Sequence, residues 1–404
     1  MYDILVIGGG AAGFFAAINA AEKNDGLRIA ILERGRDVLQ KVKVSGGGRC
    51  NVTHACFEPD KLVKFYPRGE NELLLPFQKF NPTNTIEWFE RRGVKIKKEA
   101  DGRMFPVSDS SQSIIDCLLG AAQRYRIEVL TNSRVEQFDY LPNEKSNWKL
   151  HVAGERILYA KKIMIATGSD TAVWALLERL KIKIIQPVPS LFTFNIKDAR
   201  LTDLMGLSVP NAIISIQKTN FESNGPTLIT HWGLSGPGIL KLSAWAAREL
   251  NVANYKFTIT VNWLANKELG AVISHLHSQI NAQPKKNVIT NAEFGLPIRL
   301  WKSLCIAAQI GEFQKWAETG KKHIQRLAEQ LTTCKFEVNG KSTFKEEFVT
   351  AGGVDLSEID FETFSLKKYP SLFMAGEVLN IDAITGGFNF QAAWTGGWIA
   401  GQNL

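Results

Sequence analysis

Cysteine is scarce in this chain: five in 404 residues, an odd number, widely spaced. That excludes a disulfide framework and fits a reducing compartment. No apolar run reaches the roughly 18 residues that a membrane span needs. The most apolar early stretch, Ile4 to Ala21, is broken by glycines and followed by Glu22 and Lys23. It has no basic leader and no small-residue cleavage site, so a secretory signal is not expected and the expected location is cytoplasmic. Metal-ligand clusters are missing too. His275 and His277 are two apart, with no Cys, Asp or Glu set at metal spacing beside them. There are no internal repeats and no low-complexity tracts. The net charge is +8, but no long basic stripe carries it. Clusters such as Lys95-Ile96-Lys97-Lys98 and Lys181-Ile182-Lys183 read as solvated strand edges. A nucleic-acid partner is therefore not expected.

What is present starts at the first residue. A chain of this length, 45% hydrophobic and 22% charged, buries a large core and divides into two or three domains. The apolar run Ile4-Leu5-Val6-Ile7 leads into Gly8-Gly9-Gly10-Ala11-Ala12-Gly13, an Ala-rich helical stretch, and a second apolar run ending on Glu33. This is G-x-G-x-x-G between strand and helix, with an acidic residue about 20 positions on. Gly8 makes the tight turn, Gly10 admits a pyrophosphate to the backbone, and Gly13 lets helix and strand pack closely. The helix start offers free N–H groups to phosphates, and Glu33 is placed to accept from ribose hydroxyls. The motif predicts a dinucleotide and leaves its identity open.

Ser45-Gly46-Gly47-Gly48-Arg49-Cys50-Asn51 follows. Its consecutive glycines can form an anion nest, Arg49 adds a positive fork, and Cys50 and Asn51 stand where a helix would start. Cys50 and Cys56 are six apart, about 9 Å along a helix, too far for a disulfide there. Further on, residues 71–92 read as helical, 110–124 as an amphipathic helix, and 148–152 with 156–160 as a small meander. A buried strand runs into Ala166-Thr167-Gly168. From Pro187 the character becomes β-rich with helical interludes at 239–250, 265–280, 296–308 and 319–331. His231-Trp232-Gly233-Leu234-Ser235-Gly236-Pro237-Gly238 is the most unusual segment of this middle region. The tail returns to a strand, Gly376-Glu377, Asp382, Gly386-Gly387-Phe388-Asn389 and a small-residue helix. That helix start near Asn389 is suited to negative charge on a ring carbonyl.

VIGGGAAG, Glu33, SGGGRCN, IATGS and AGEVLNIDAITGGFNFQAAWTGGWIAG together resemble the BaiN/YhiN-type flavoproteins, often labelled NAD(P)/FAD-dependent or aminoacetone-oxidase-like oxidoreductases. The resemblance runs from Met1 to the C-terminal helix and includes THWGLSGPGIL. It implies an α/β fold: a Rossmann-like FAD-binding domain assembled from both chain ends, residues 1–188 and 343–404, with an inserted β-rich plus helical region at 189–342. FAD is then the tightly held cofactor. Carried over by motif, Gly8, Gly10, Ala11, Ala12 and Gly13 hold the pyrophosphate, and Glu33, with Arg34 beside it, takes the adenosine ribose. Val135 meets adenine through its backbone. Ser45, Gly46, Gly47, Arg49, Cys50 and Asn51 line the flavin, and Ala166, Thr167 and Gly168 pass beneath the nucleotide. Gly376 and Glu377 reach the phosphate-ribityl region, where the wider group often has Asp in place of Glu377. Gly386, Gly387, Phe388 and Asn389 reach the pyrimidine edge of the flavin.

The expected function is a soluble FAD-dependent oxidoreductase, passing a hydride between flavin N5 and a small organic substrate held between the FAD domain and the insertion. The flavin carries the chemistry, and the protein supplies binding and orientation. Arg103, His231 and Trp232 are the candidates on the substrate side. Without a second dinucleotide fingerprint, the other redox partner is NADH or NADPH visiting transiently, or oxygen. A tRNA-modifying flavoprotein and a non-catalytic FAD sensor are the alternatives. Substrate and oligomeric state are not legible.

Overall fold

The computed structural model describes residues 1–142, 145–265, 267–342 and 349–404. The chain divides into two compact units, Met1–Val188 with Val349–Leu404, and Pro189–Phe348. The expected junction at 342/343 adjoins residues 343–348, which lie outside the described residues.

The first unit is built on five parallel strands, in the order Tyr369–Met374, Arg156–Ile165, Tyr2–Ile7, Ile29–Leu32 and Glu128–Leu130. All four residues of Ile29–Leu32 are buried, as are five of the six in Tyr2–Ile7. A sheet covered on both faces dictates such runs of apolar side chains without alternation. The strand from the chain's tail joins this sheet through Leu372, Phe373 and Met374, opposite Ile163, Met164 and Ile165.

The C-terminal helix Phe388–Asn403 lies on the first helix, Ala11–Lys23, and the two backbones nearly touch. A Cβ on Gly397 would stand 2.8 Å from Ala12 O, and one on Gly401 2.7 Å from Ala16 O. Both ends of the chain therefore share one core. A buried polar chain knits the same helix to the neighbouring loops. Thr53 Oγ1 and Thr85 Oγ1 both donate to Gln391 Oε1, at 2.6 and 3.0 Å. Gln391 in turn reaches Thr395, whose hydroxyl donates to Phe80 O at 2.8 Å.

Several expected elements are redrawn. The helical reading of 71–92 resolves into Leu74–Lys79 and Pro82–Glu90. The break comes from a capping box: Asn81 Oδ1 accepts from Thr83 N, and Asn84 Oδ1 accepts from Asn81 N. The 156–160 strand and the buried strand after it are one, Arg156–Ile165. Its first half pairs antiparallel with Trp148–Val152 and its second half parallel with Tyr2–Ile7, changing partners at Ala160. No helix starts at Cys50. The helix comes before it, at Gln40–Gly48, and is broken where Ser45 turns extended (ψ 148°).

The second unit carries a sheet in the order Cys334–Asn339, Lys256–Asn262, Ser208–Ile216, Glu222–Thr230, Gly233–Ser235, Thr193–Asn195 and Lys341–Ser342. Helices Pro237–Trp245, Leu269–Ala282, Ile298–Ala307 and Lys321–Thr332 accompany it, around a core that includes Phe194, Trp263, Trp301, Trp316 and Leu327. The helical reading of 239–250 is interrupted at Ala246, where a second short helix, Ala247–Val252, begins.

Candidate functional site: a glycine-lined nucleotide cradle

Tyr2–Ile7 delivers Gly8 in a left-handed conformation (φ 109°) at the carboxyl end of the sheet. The three fingerprint glycines differ in what surrounds them. A Cβ on Gly8 would stand 2.4 Å from Ala166 O, and one on Gly13 2.1 Å from Gly8 O. A Cβ on Gly10 would meet only Ala166 O, at 3.9 Å. Gly8 and Gly13 are thus packing positions, whereas Gly10 faces open space. Gly10 caps the helix without a side chain, which leaves the first-turn amides of Ala11 and Ala12 free for an anion.

Glu33 closes this loop from the next strand. Its Oε2 accepts from Gly9 N at 2.9 Å and its Oε1 from Gly35 N at 2.8 Å. The carboxylate braces the loop and retains further lone pairs for hydroxyl donors. Arg34 is turned to Asp170, with Nη1 2.6 Å from Oδ2. The segment leading to Val135 is tied to the same corner, because Ser133 N donates to Glu33 O and Asn132 N to Gly35 O. Val135 is buried at the head of Val135–Tyr140.

The second glycine run forms a left-handed turn, with φ of 58°, 69° and 83° at Gly46, Gly47 and Gly48. Around Gly47 and Gly48 nothing stands within 4 Å of an added Cβ, as an open nest requires. Arg49 is not the free positive fork expected. It lies 4.0 Å over the Phe105 ring, its Nη1 2.6 Å from Glu99 and 3.4 Å from Asp109. Arg103 belongs to the same cluster, paired with Asp101 at 2.7 Å and Glu99 at 3.3 Å. Cys50 is fully buried, and loss of solvation pushes its thiol up to about 12. It is therefore neutral at ordinary pH, and all five cysteines are free.

Asn51 joins two motifs that are more than 300 residues apart. With its amide oriented to satisfy both ends, Asn51 accepts from Gly387 N at 2.9 Å and donates to Thr53 O at 3.0 Å. Gly386 (φ 130°) and Gly387 (φ 92°) lead into the C-terminal helix. Phe388 is buried in a three-ring cluster with His54 at 4.6 Å and Phe65 at 4.4 Å. The Asn389 side chain is spent on its own loop, exchanging hydrogen bonds with Ala383 N and O. One of its two amide N–H donors is thus used within the loop, and the backbone N–H groups of this turn offer further donors to a ring carbonyl.

Between these loops Ala166-Thr167-Gly168 follows the long strand. Thr167 Oγ1 is buried without a partner, and Gly168 (φ 62°) is open on its Cβ side except for Glu377 at 3.7 Å. Glu377, after Gly376, forms an ion pair with Lys41 and accepts from Thr350 N at 3.0 Å. Thr350 Oγ1 is likewise buried and unpartnered. Gly10, Gly47, Gly48 and Gly168 thus expose bare backbone on one unit, and the Thr167 hydroxyl next to Gly168 is unsatisfied. That is the surface a dinucleotide with a flat ring system needs, and FAD fits it.

Sequence reasoning did not find His54, Lys41, Phe65 or Thr350. His54 is on a two-residue strand, Thr53–His54, with no periodicity to mark it. Its Nε2 is 3.2 Å from Asp101 O, its Nδ1 is buried without a partner, and burial lowers its pKa. His231 and Trp232 belong to the second unit. They are the two turn residues of a hairpin between Glu222–Thr230 and Gly233–Ser235, their rings edge to face at 4.0 Å. Trp232 O accepts from Ile196 N at 2.8 Å.

Residues 2–403 match the HI0933-like protein Rossmann domain. The chain is 28% identical over 415 aligned residues to the ribosomal RNA dihydrouridine synthase of Escherichia coli (strain K12), with 100% of this chain and 98% of the relative covered. It is 24% identical, with the same coverage, to the 3-dehydro-bile acid delta(4,6)-reductase of Clostridium scindens. Among solved structures, a 3-ketosteroid-delta4-(5alpha)-dehydrogenase from Rhodococcus jostii RHA1 shares its fold at a TM-score of 0.53 and 12% identity, covering 99% of this chain and 96% of that one. The chain belongs to the HI0933-like family and is an FAD-dependent oxidoreductase of the BaiN/YhiN type.

Proposed function

For a member of this family, we propose that the reaction is reduction of a carbon–carbon double bond conjugated to a carbonyl. Bound FAD supplies hydride transfer from N5. The observation that carries the reading is the open backbone of Gly10, Gly47, Gly48 and Gly168 together with the unpartnered Thr167 hydroxyl next to Gly168. The two full-length relatives supply the substrate class. A dihydrouridine is a uridine whose ring double bond, conjugated to a carbonyl, has been saturated. A delta(4,6)-reductase, by name, saturates ring double bonds as well. In this reading the loop after Tyr2–Ile7 and the Ala11 helix start hold the diphosphate, and Glu33 holds the ribose. The turn at Gly386-Gly387 and the Ser45–Asn51 loop border the flavin ring. NADH or NADPH serves as a transient reductant, and the free thiols suit a cytoplasmic setting. Among the described residues no helix is long and apolar enough to cross a membrane.

The experiment is anaerobic. Purified protein loaded with FAD is bleached with NADH or NADPH, then mixed with a cyclic enone, a uridine oligonucleotide or oxygen. Rapid reoxidation by the enone or the oligonucleotide, with formation of the saturated product, supports the reading. Reoxidation by oxygen alone overturns it in favour of an oxidase.

A second reading concerns how the double bond is presented. The second unit carries 18 Lys and Arg against 12 Asp and Glu, a net +6 of the chain's +8. This asymmetry favours a polyanion, and hence a uracil ring within RNA, over a free small molecule.

A further inference from the structure

The positive charge of the second unit has an address. The loop after helix Leu269–Ala282 and the loop after helix Ile298–Ala307 are zipped together. Val288 N donates to Gln314 O, Trp316 N to Lys286 O and Ala317 N to Pro284 O, at 3.0, 3.1 and 3.1 Å. Buried Trp316 anchors one loop in the core, and Trp301 Nε1 holds the other by donating to Val288 O at 2.8 Å. The zipper sets exposed Lys285 and Lys286 beside exposed Lys315. The chain then runs straight into helix Lys321–Thr332, whose first two residues, Lys321 and Lys322, are both exposed lysines.

These cations are poorly served by the protein itself. Between residues 281 and 326 there are eight Lys and Arg against three Glu. Glu293 is turned to His275, Glu312 faces Lys302 and Glu318 accepts from Lys315 N. Two lysines in a first helical turn oppose the helix dipole, and Gly320 offers no side-chain cap. An anion there relieves both terms. Phe313, 83% exposed, lies two residues before Lys315 on the zipped loop, with its ring in water. An exposed phenylalanine on a segment paired to a lysine-bearing loop is the composition of a surface that stacks an unpaired base while cations track the phosphates.

We propose that this face, formed by Lys285, Lys286, Lys315, Lys321 and Lys322 around Phe313, docks single-stranded RNA. The proposal deepens the RNA reading above and rests on it for the choice of partner. It is tested without the redox reaction.

The test is fluorescence anisotropy of FAD-loaded protein with a labelled 12-residue uridine oligonucleotide across a salt series. Wild type should bind, with an affinity that falls steeply with salt, by about 0.7 log per log salt for each phosphate contacted. Exchange of all five lysines for Gln should weaken binding more than tenfold at 50 mM salt and flatten that slope. F313A should cost about tenfold, with the slope retained. Thermal midpoints by circular dichroism show that the variants are folded. Wild-type binding that is absent or salt-insensitive overturns the proposal, as does a five-lysine variant that binds like wild type. Equal affinity for heparin together with an inert F313A also overturns it, since that marks a general polyanion surface. If RNA binds here but bound oligonucleotide does not reoxidise reduced flavin, the docking face stands and the substrate reading fails.

Discussion

Arg68 holds Asp382 in a two-pronged ion pair, although 314 residues separate them in sequence. The carboxylate has no solvent exposure and the guanidinium is 12% exposed. Asp382 stands in the segment between Glu377 and the Gly386-Gly387 turn, so the pair fixes the last motif of the cradle to the first half of the chain. Removing one partner breaks a buried, hydrogen-bonded charge pair. D382N and R68M are expected to lose about 3 to 5 kcal/mol of stability, measured by urea unfolding of the FAD-free protein. Loss of less than about 1 kcal/mol would show the pair to be dispensable.

The fingerprint glycines separate folding from binding. Gly10→Ala adds a Cβ with nothing closer than 3.9 Å, so the chain should fold with an unchanged thermal midpoint while FAD affinity falls at least tenfold. Gly13→Ala drives a methyl to 2.1 Å from Gly8 O and should lower the midpoint of the FAD-free protein itself. Calorimetry with and without FAD distinguishes the two, and equal behaviour would remove the distinction drawn between them.

Cys50 sets an alkaline limit. Its thiol is raised from 9.0 to about 12 by burial, so the folded state holds that proton while the unfolded chain releases it. Stability from this group is full below pH 9 and is lost as pH rises towards 12. Cys117 and Cys334, each raised to about 11, act in the same direction. C50A should flatten the decline between pH 9 and 12 by up to about 4 kcal/mol. In native protein near pH 8, a thiol reagent should modify the partly exposed Cys56 before Cys50. Fast labelling of Cys50 would contradict its burial.

His54 works at the other end of the scale. Burial lowers its pKa below 6.5, so the unfolded chain takes up the proton first. Stability from the neutral ring is full above pH 6.5 and is lost as pH falls through the lowered folded value. His54→Phe keeps a ring against Phe388 and removes the titration. Its stability should vary less than wild type between pH 6.5 and 5, and an unchanged acid profile would refute the role.

Sequence alone determined the elements whose cause is local. The run Ile4 to Ile7, the glycine spacing and Glu33 specify a strand, a turn and a helix start whatever lies around them, because φ preference, side-chain bulk and burial on both sheet faces act within a few residues. The repeated small residues of the tail likewise announce close packing. The motif resemblance extended this to FAD and to a domain drawn from both chain ends. Tertiary structure decided which glycines pack and which stay open: Ala166 O stands 2.4 Å from a Cβ on Gly8 and 3.9 Å from one on Gly10. It also decided that Arg49 and Arg103 are consumed by Glu99, Asp101 and Asp109, and that Asn389 bonds its own loop. It placed His54 on Phe388, across 334 residues of chain, and zipped the loop carrying Lys285 and Lys286 to the one carrying Lys315. Charge pairing and stacking depend on distances between chain segments, and those distances exist only once the core has closed.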